Sequence, residues 1–385
     1  MEGNTDKKKA QNTIASGDGE QPDDINRVQR MLENYGIRVQ GIEAVHGASV
    51  SEYRLDLKPG QKISTLKSLS PDFAIGLNVK GVRVRAADGY AALEIPNNNR
   101  RTVLFSDLEG SEEFMQMGAA LPVIIGEAIG GLCRCADLAA LPHLLIAGAT
   151  KQGKSMAMKS LMLSIMQSTR PDDARFVLID SKNADLSAFA SMPQDRFFPL
   201  EGSSAVSTTR QQALDTLEAL CEEMERRLQM LETAGCRSIS TYRNMRSGSR
   251  PDLPAMPYLV CLIDEFADFT LSASRRRDET AKGVMTGIIR LAQKGARSGI
   301  HMVISTQRPC TDAITGILKA NFPARLAFRT AGRVDSMVIL DTPGAELLTG
   351  EGDCLFCEGL DCERLQAPCV TEEDIRRLVT SREND

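Results

Sequence analysis

Residues 143–166 read HLLIAGATKQGKSMAMKSLMLSIM. A short apolar run, His143 to Ala147, leads into Gly148-Ala149-Thr150-Lys151-Gln152-Gly153-Lys154-Ser155, and a helical run follows from Met156 to Met166. The eight central residues satisfy G-x-x-x-x-G-K-[ST] at every fixed position, in the strand–loop–helix setting that this spacing needs to hold phosphate. Its glycines let backbone N–H groups curl round the anion, and the helix N-terminus adds partial positive charge. The segment Gly148 to Ser155 is therefore expected to bind ATP. Within it Lys154 reaches the β and γ phosphates and Ser155 ligates Mg2+.

A nucleotide-hydrolysing site also needs a carboxylate cluster. Tyr258-Leu259-Val260-Cys261-Leu262-Ile263-Asp264-Glu265 supplies one at the end of an apolar strand. Asp264 is expected to hold Mg2+ through its water shell, and Glu265 to orient or deprotonate the attacking water. The next strand ends Ser305-Thr306-Gln307-Arg308, which makes Gln307 a candidate γ-phosphate sensor.

Outward from these motifs, the strands HLLIA, RFVLID, YLVCLID, IHMVIST and ARLAFRT alternate with helices. Near-continuous apolar strands of this kind predict a mostly parallel sheet covered on both faces. A long helix is expected over 207–233, its apolar residues three and four apart, and a closing helix over 371–380 capped by Thr371 and Asp374. Before this region, residues 25–110 read as a small α+β domain. Its expected strands are SEYRLDL, KGVRVRA, AALEIP and RTVLF, with helices near 28–35 and 63–69. Residues 1–24 are polar and read as a disordered tail. A net charge of −5 gives no global basic signature, so any nucleic-acid contact must come from a local patch or a pore built from several copies. Nothing approaches the roughly 18 apolar residues of a membrane span, and the scattered cysteines without a leader favour a reduced, cytoplasmic setting.

Several blocks in order carry a resemblance wider than the phosphate loop: PHLLIAGATKQGKS, RFVLIDSKNADLSAF, VCLIDEFADF, RLAQKGARSGIHMVISTQRP, ITGILKANFPARLAF and DSMVILDTPGAELLTGEGDCLF. Over about residues 25–380 the chain resembles the FtsK/SpoIIIE family of DNA translocases. The resemblance implies a RecA-like α/β motor domain over 111–385, preceded by the family's small domain. It also implies a hexameric ring around double-stranded DNA, with ATP bound between subunits. Arg297 would then be an arginine finger to the neighbour's γ phosphate, with Arg290 as runner-up. Pore loops gripping duplex phosphates without reading sequence would include Arg275, Arg276, Arg277 and Lys319. Lys182 is expected near the nucleotide or a subunit interface. The family's membrane segments and winged-helix orientation module are not expected here. A protein-translocating ATPase of a secretion system shares these motifs, and a non-translocating coupling ATPase of a DNA-transfer element is a third reading.

Cys354, Cys357, Cys362 and Cys369 run C-x2-C-x4-C-x6-C, a spacing open to a tetrahedral zinc site. In an extended strand Cys354 and Cys357 would point to opposite faces, so small thiols are the preferred reading.

Overall fold

The computed structural model describes residues 23–87, 89–200, 205–271, 278–359 and 361–380. The sequence reading of a tail over 1–24 and the triplet Arg275 to Arg277 lie, wholly or nearly so, outside them.

The first sheet is antiparallel in the order β1-β2-β4-β3, with β1 Val39–His46, β2 Val50–Leu57, β3 Arg83–Ala87 and β4 Tyr90–Pro96. Helix Asp23–Asn34 and the short helices Ile63–Ser68 and Ser70–Gly76 accompany it. Leu32, Leu55, Phe73 and Leu93 make their shared core. Strand β1 was not anticipated, because VQGIEAVH has no clean alternation. RTVLF is a correction in the other direction: it is no strand. Leu104 makes one parallel bridge to Cys369, and Asp107 then accepts the Leu104 N–H at 3.1 Å, turning the chain into the four-residue helix Phe105–Leu108.

The second sheet contains β5 Pro122–Ala128, β6 Cys133–Asp137, β7 His143–Ala147, β8 Ala174–Asp180, β9 Val206–Ser207, β10 Tyr258–Asp264, β11 Ile300–Thr306, β12 Ala324–Phe328, β13 Asp353–Glu358 and β14 Asp361–Gln366. Their order among the described residues is β6-β5-β14-β13-β12-β7-β11-β10-β8-β9. From β12 to β9 the pairs are parallel, and from β12 through β6 they are antiparallel. Alternate residues of β7 explain why the central strands are apolar throughout. Leu144 and Ile146 pack with Met158, Leu161 and Ile165 of helix Lys154–Ser168, while Leu145 and Ala147 join the core formed by helices Arg210–Thr233 and Glu279–Lys294 on the other face. Each such leucine contributes about 1.5–3 kcal/mol by burial. The long helix starts at Arg210 because Thr209 and Gln212 cap each other reciprocally. The closing helix Glu372–Thr380 carries the anticipated box, with the Thr371 amide and hydroxyl donating to Asp374. Among the described residues no helix is long and apolar enough to cross a membrane.

Cys357 and Cys362 face each other directly in the β13–β14 register, Cα atoms 4.1 Å apart, and are joined by a disulfide. This corrects the reading of four separate thiols: antiparallel pairing brings together two cysteines that spacing alone left apart.

The chain passes from the first core to the second between Ile95 and Val103. A buried guanidinium ties the two together. Arg364 of β14 donates to Asp353 at 3.0 and 2.7 Å and to Glu94 of β4 at 3.2 Å. Burial alone would lower the Arg364 pKa, but the two carboxylates outweigh it and raise it. Glu94 responds in the opposite sense, burial raising its pKa and Arg83 and Arg364 bringing it below the usual range.

Two histidines that the sequence scatters meet at the sheet edge remote from the phosphate loop. His143 Nδ1 accepts the Met302 amide at 3.0 Å, and His301 Nδ1 donates to the Pro142 carbonyl at 2.8 Å. Both Nε2 atoms are buried without a partner. Burial, reinforced for His143 by His301, depresses their pKa values to about 3 and about 4. Their folded pKa values lie below the unfolded value of about 6.5, so the unfolded chain binds more protons as pH falls through that value. Stability is thus expected to be full above about pH 6.5 and to fall by about 2 kcal/mol per histidine by pH 5, declining further toward pH 4. Urea midpoints measured from pH 7.5 to 5 check this. A flat profile would show that the pair is not held neutral.

Candidate active site

The parallel strands β7, β8, β10 and β11 end along one edge of the sheet, and the chemistry gathers there. Gly148 and Gly153 have φ of +150° and +125°. A Cβ on either would come within 2.7 Å of Phe328, so the loop closes against β12 only with glycine. Lys154 is 5% exposed, and its ammonium donates to the carbonyls of Gly148 and Ala149 at 2.7 and 2.6 Å. Burial lowers its pKa to about 8, against the opposing pull of Glu265 and Asp264. A buried cation bonded only to neutral carbonyls is completed by an anion, and the loop amides around it suit phosphate oxygens.

Facing the lysine is a set of acids. Asp264 ends β10 and accepts the Ser305 hydroxyl. Burial raises its pKa first of all, and Asp180, Asp185 and Glu265 add to the rise. Ser155 donates to Asp185 at 2.5 Å, and Asp185 also lies 3.6 Å from Lys159. Asp180 is fully buried and accepts the amides of Lys182, Ala184, Asp185 and Leu186, folding the chain back so that Asp185 meets the loop. Clustered carboxylates beside a serine hydroxyl fit Mg2+, which uses one or two protein carboxylates and takes its other ligands from water and phosphates. Among the described residues there is no group of three or more His, Cys, Asp or Glu side chains that forms a self-contained metal cage.

Glu265 follows in left-handed backbone, φ 47° and ψ 54°, a conformation that costs a non-glycine residue about 1 kcal/mol or more. Its carboxylate is turned toward β11. It accepts the Thr306 hydroxyl at 2.8 Å and the Gln307 amide at 3.1 Å, and Lys182 lies 3.8 Å away. Gln307 in turn receives the Thr150 hydroxyl at 2.8 Å, linking the sensor position to the phosphate loop. Lys151 adopts a positive φ of 60°, and the Gln152 carbonyl accepts the Gly352 amide at 2.9 Å.

Thus Gly148 to Ser155, Asp264, Glu265 and Gln307 come together, with Lys182 beside them. Arg297 does not join them. It lies on the 295–298 turn before β11, exposed, with Nε donating to the Arg237 carbonyl at 2.7 Å. The length of β11, roughly 20 Å, separates it from its own chain's Glu265. Arg290 is paired to Glu225 at 3.0 Å. Lys319, in helix Gly316–Asn321, donates to Asp341 at 2.5 Å and is one-fifth exposed. The acids Asp180 and Asp185 and the hydroxyl of Thr306 were not singled out from sequence. For Asp185 the only signal was its place five residues beyond a strand-end Asp.

A buried lysine in a glycine loop, faced across a strand end by a carboxylate pair, serves the β–γ bond of a nucleoside triphosphate; fold and site define a P-loop ATPase. The FtsK/SpoIIIE family profile matches residues 106–311, and the FtsK alpha domain profile matches residues 5–97. The chain belongs to the FtsK/SpoIIIE family. It is 38% identical over 365 residues to the DNA translocase FtsK of Chlorobaculum tepidum, covering 92% of this chain and 44% of that protein. With the DNA translocase FtsK of Streptococcus pneumoniae it shares 34% identity, over 93% of this chain and 46% of that one. The chain thus spans less than half the length of these relatives. Among solved structures, the pCW3 conjugation coupling protein TcpA with ATPγS superimposes with a TM-score of 0.62 at 20% identity, over 93% of this chain and 99% of that one. The Type VII secretion ATPase EccC of Thermomonospora curvata gives 0.54 at 22%, over 68% and 31%. These likenesses establish the fold.

Proposed function

We propose that this chain is the motor of an ATP-driven double-stranded DNA translocase that works as a hexameric ring. The observation that carries the reading is Glu265, held at the strand end beside the phosphate loop in a chain more than a third identical to a protein named DNA translocase FtsK. Lys154 exchanges its two carbonyl partners for phosphate oxygens. Ser155 and Asp264 hold Mg2+, which neutralises charge on the phosphates. Glu265 orients the attacking water and takes its proton, and Gln307 reports the γ phosphate to β11.

Arg297 supplies charge to the neighbour's site, a role suited to a residue that cannot reach its own. The grip on duplex phosphates falls to Arg275, Arg276 and Arg277 in the segment after the Asp264–Glu265 pair and to 311–321. Within the second, a phosphate must compete with Asp341 for Lys319. Such contacts are independent of sequence and weaken with salt, because releasing counterions into a more concentrated solution gains less entropy.

ATP turnover measured with and without linear duplex DNA, across a salt series, tests the reading. DNA is expected to stimulate turnover at low salt and to lose that effect as salt rises. Turnover indifferent to DNA at low salt would remove the case for translocation. In the same assay, doping Arg297→Ala subunits into wild type is expected to depress activity more steeply than the mutant fraction; a proportional fall would argue against action in trans.

A further inference from the structure

Strand β6, which ends the large sheet on its antiparallel side, reads Cys133-Arg134-Cys135-Ala136-Asp137. Side chains two apart on a strand share a face. Cys133 and Cys135 accordingly enter the same core as the helix Lys154–Ser168, while Arg134 between them is tied to Glu358 and Glu363 of the β13–β14 hairpin. The two sulfur atoms lie 3.3 Å apart, close enough for one S–H to donate to the other. Residues two apart on an extended strand stand about 6.6 Å apart at Cα, inside the outer limit of about 6.8 Å for a bridged pair. Closing the sulfur gap to a bond of about 2.0 Å needs side-chain movement of little more than about 1 Å.

The two thiols are not equivalent. Donation from the Cys135 thiol holds Cys133 below its ordinary pKa, helped by the Ser111 hydroxyl and opposed by burial, Glu113 and Glu127. Cys135 responds in the opposite sense, raised by its bond to Cys133 and by burial. By contrast, burial pushes the Cys261 thiol up to about 12. A thiolate is the nucleophile toward oxidants, and a thiol beside it converts the first product to a disulfide. Exposure sets the size of the reagent. Cys133 is 6% and Cys135 9% exposed, which shuts out a peptide disulfide and leaves room for a peroxide little larger than water.

We propose that Cys133 and Cys135 form a peroxide-reactive dithiol, in which Cys133 attacks and Cys135 resolves. The Cys133 thiolate attacks one oxygen of a hydroperoxide, and the O–O bond breaks. The departing oxygen takes up a proton and leaves as an alcohol, or as water from hydrogen peroxide, and Cys133 becomes a sulfenic acid. The Cys135 sulfur then attacks the sulfenic sulfur, the S–S bond forms, and hydroxide leaves with the Cys135 proton as water. The two thiols give up two electrons in all, and the peroxide takes both. Cys357 and Cys362 play no part, since they belong to the core on the other face of the sheet. The proposal is independent of the nucleotide site.

Trypsin cuts after Arg134, between the two cysteines. Peptides 102–134 and 135–151 each carry one cysteine, so a bridge between Cys133 and Cys135 joins them. The folded chain is treated with hydrogen peroxide, unfolded, alkylated, digested and weighed by mass spectrometry. The joined pair, two hydrogens lighter than the sum of its peptides, is expected at a dose that leaves Cys261 open to alkylation. It is also expected to form faster than in chain unfolded by urea at the same pH. Cys135→Ser is expected to stop at a sulfenic acid on Cys133, trapped by dimedone, and Cys133→Ser to leave Cys135 open to alkylation. Separate, fully alkylated peptides from the treated wild-type chain overturn the proposal. So does a bridge that forms no faster in the folded chain than in the unfolded one, since nearness in sequence would then account for it. A sulfenic acid on Cys135 in the Cys133→Ser variant overturns the order of attack.

Discussion

Glu265→Gln is expected to bind ATP about as tightly as wild type while hydrolysing it roughly 10²–10⁴-fold more slowly, the range general acid–base catalysis contributes. The amide side chain can still accept the Thr306 hydroxyl and the Gln307 amide, so the strand end keeps its shape. What it loses is the capacity to take a proton. Phosphate release in single-turnover mixing, with nucleotide affinity measured separately, makes the distinction. Turnover within about threefold of wild type would show that the base lies elsewhere. A loss of affinity matching the loss of rate would mean that Glu265 serves binding instead.

The second large effect concerns stability. Arg364→Ala removes the guanidinium shared by Glu94 and Asp353 and leaves two carboxylates facing each other at 1% exposure each. Breaking a buried ion pair from one side typically costs about 3–5 kcal/mol; here Glu94 keeps Arg83 and Arg85, while Asp353 is left buried with the Thr349 amide and hydroxyl and no cation. Arg364→Lys would not restore the site, since an ammonium cannot present three donors in the plane that meets Asp353 twice and Glu94 once. Adding Glu94→Gln is expected to recover part of the loss, because it ends the repulsion between Glu94 and Asp353. Urea midpoints of the single and double variants read this directly. A cost below about 1 kcal/mol for Arg364→Ala, or no recovery in the double variant, would contradict the buried bridge.

The sequence exposed the parallel half of the large sheet because β7, β8, β10, β11 and β12 are apolar on both faces and stand next to turn signals. It exposed the antiparallel half less well. β5 and β6, in PVIIGEA and CRCAD, have mixed polarity, and their placement depends on β14, some 230 residues further on. The site shows the same division. Gly148 to Ser155 and the Asp264–Glu265 pair are contiguous, so local spacing reveals them. That Gln307 touches both Glu265 and Thr150 and that Asp185 folds back to Ser155 follow from strand order, which no local pattern encodes. The disulfide belongs to this second group, since register alone sets Cys357 opposite Cys362.

The bridge at Arg364 also sets an order of events during synthesis. Glu94 and Arg364 are 270 positions apart, so the small sheet leaves the ribosome long before its partner cation exists. At about 5–20 residues per second the interval is roughly 14–54 s. Through that time Glu94 has only Arg83 and Arg85 of its own sheet, at 2.9 and 3.2 Å. The nascent small domain can therefore close its apolar core early, but its docking face stays charged and wet until nearly the whole motor has been made.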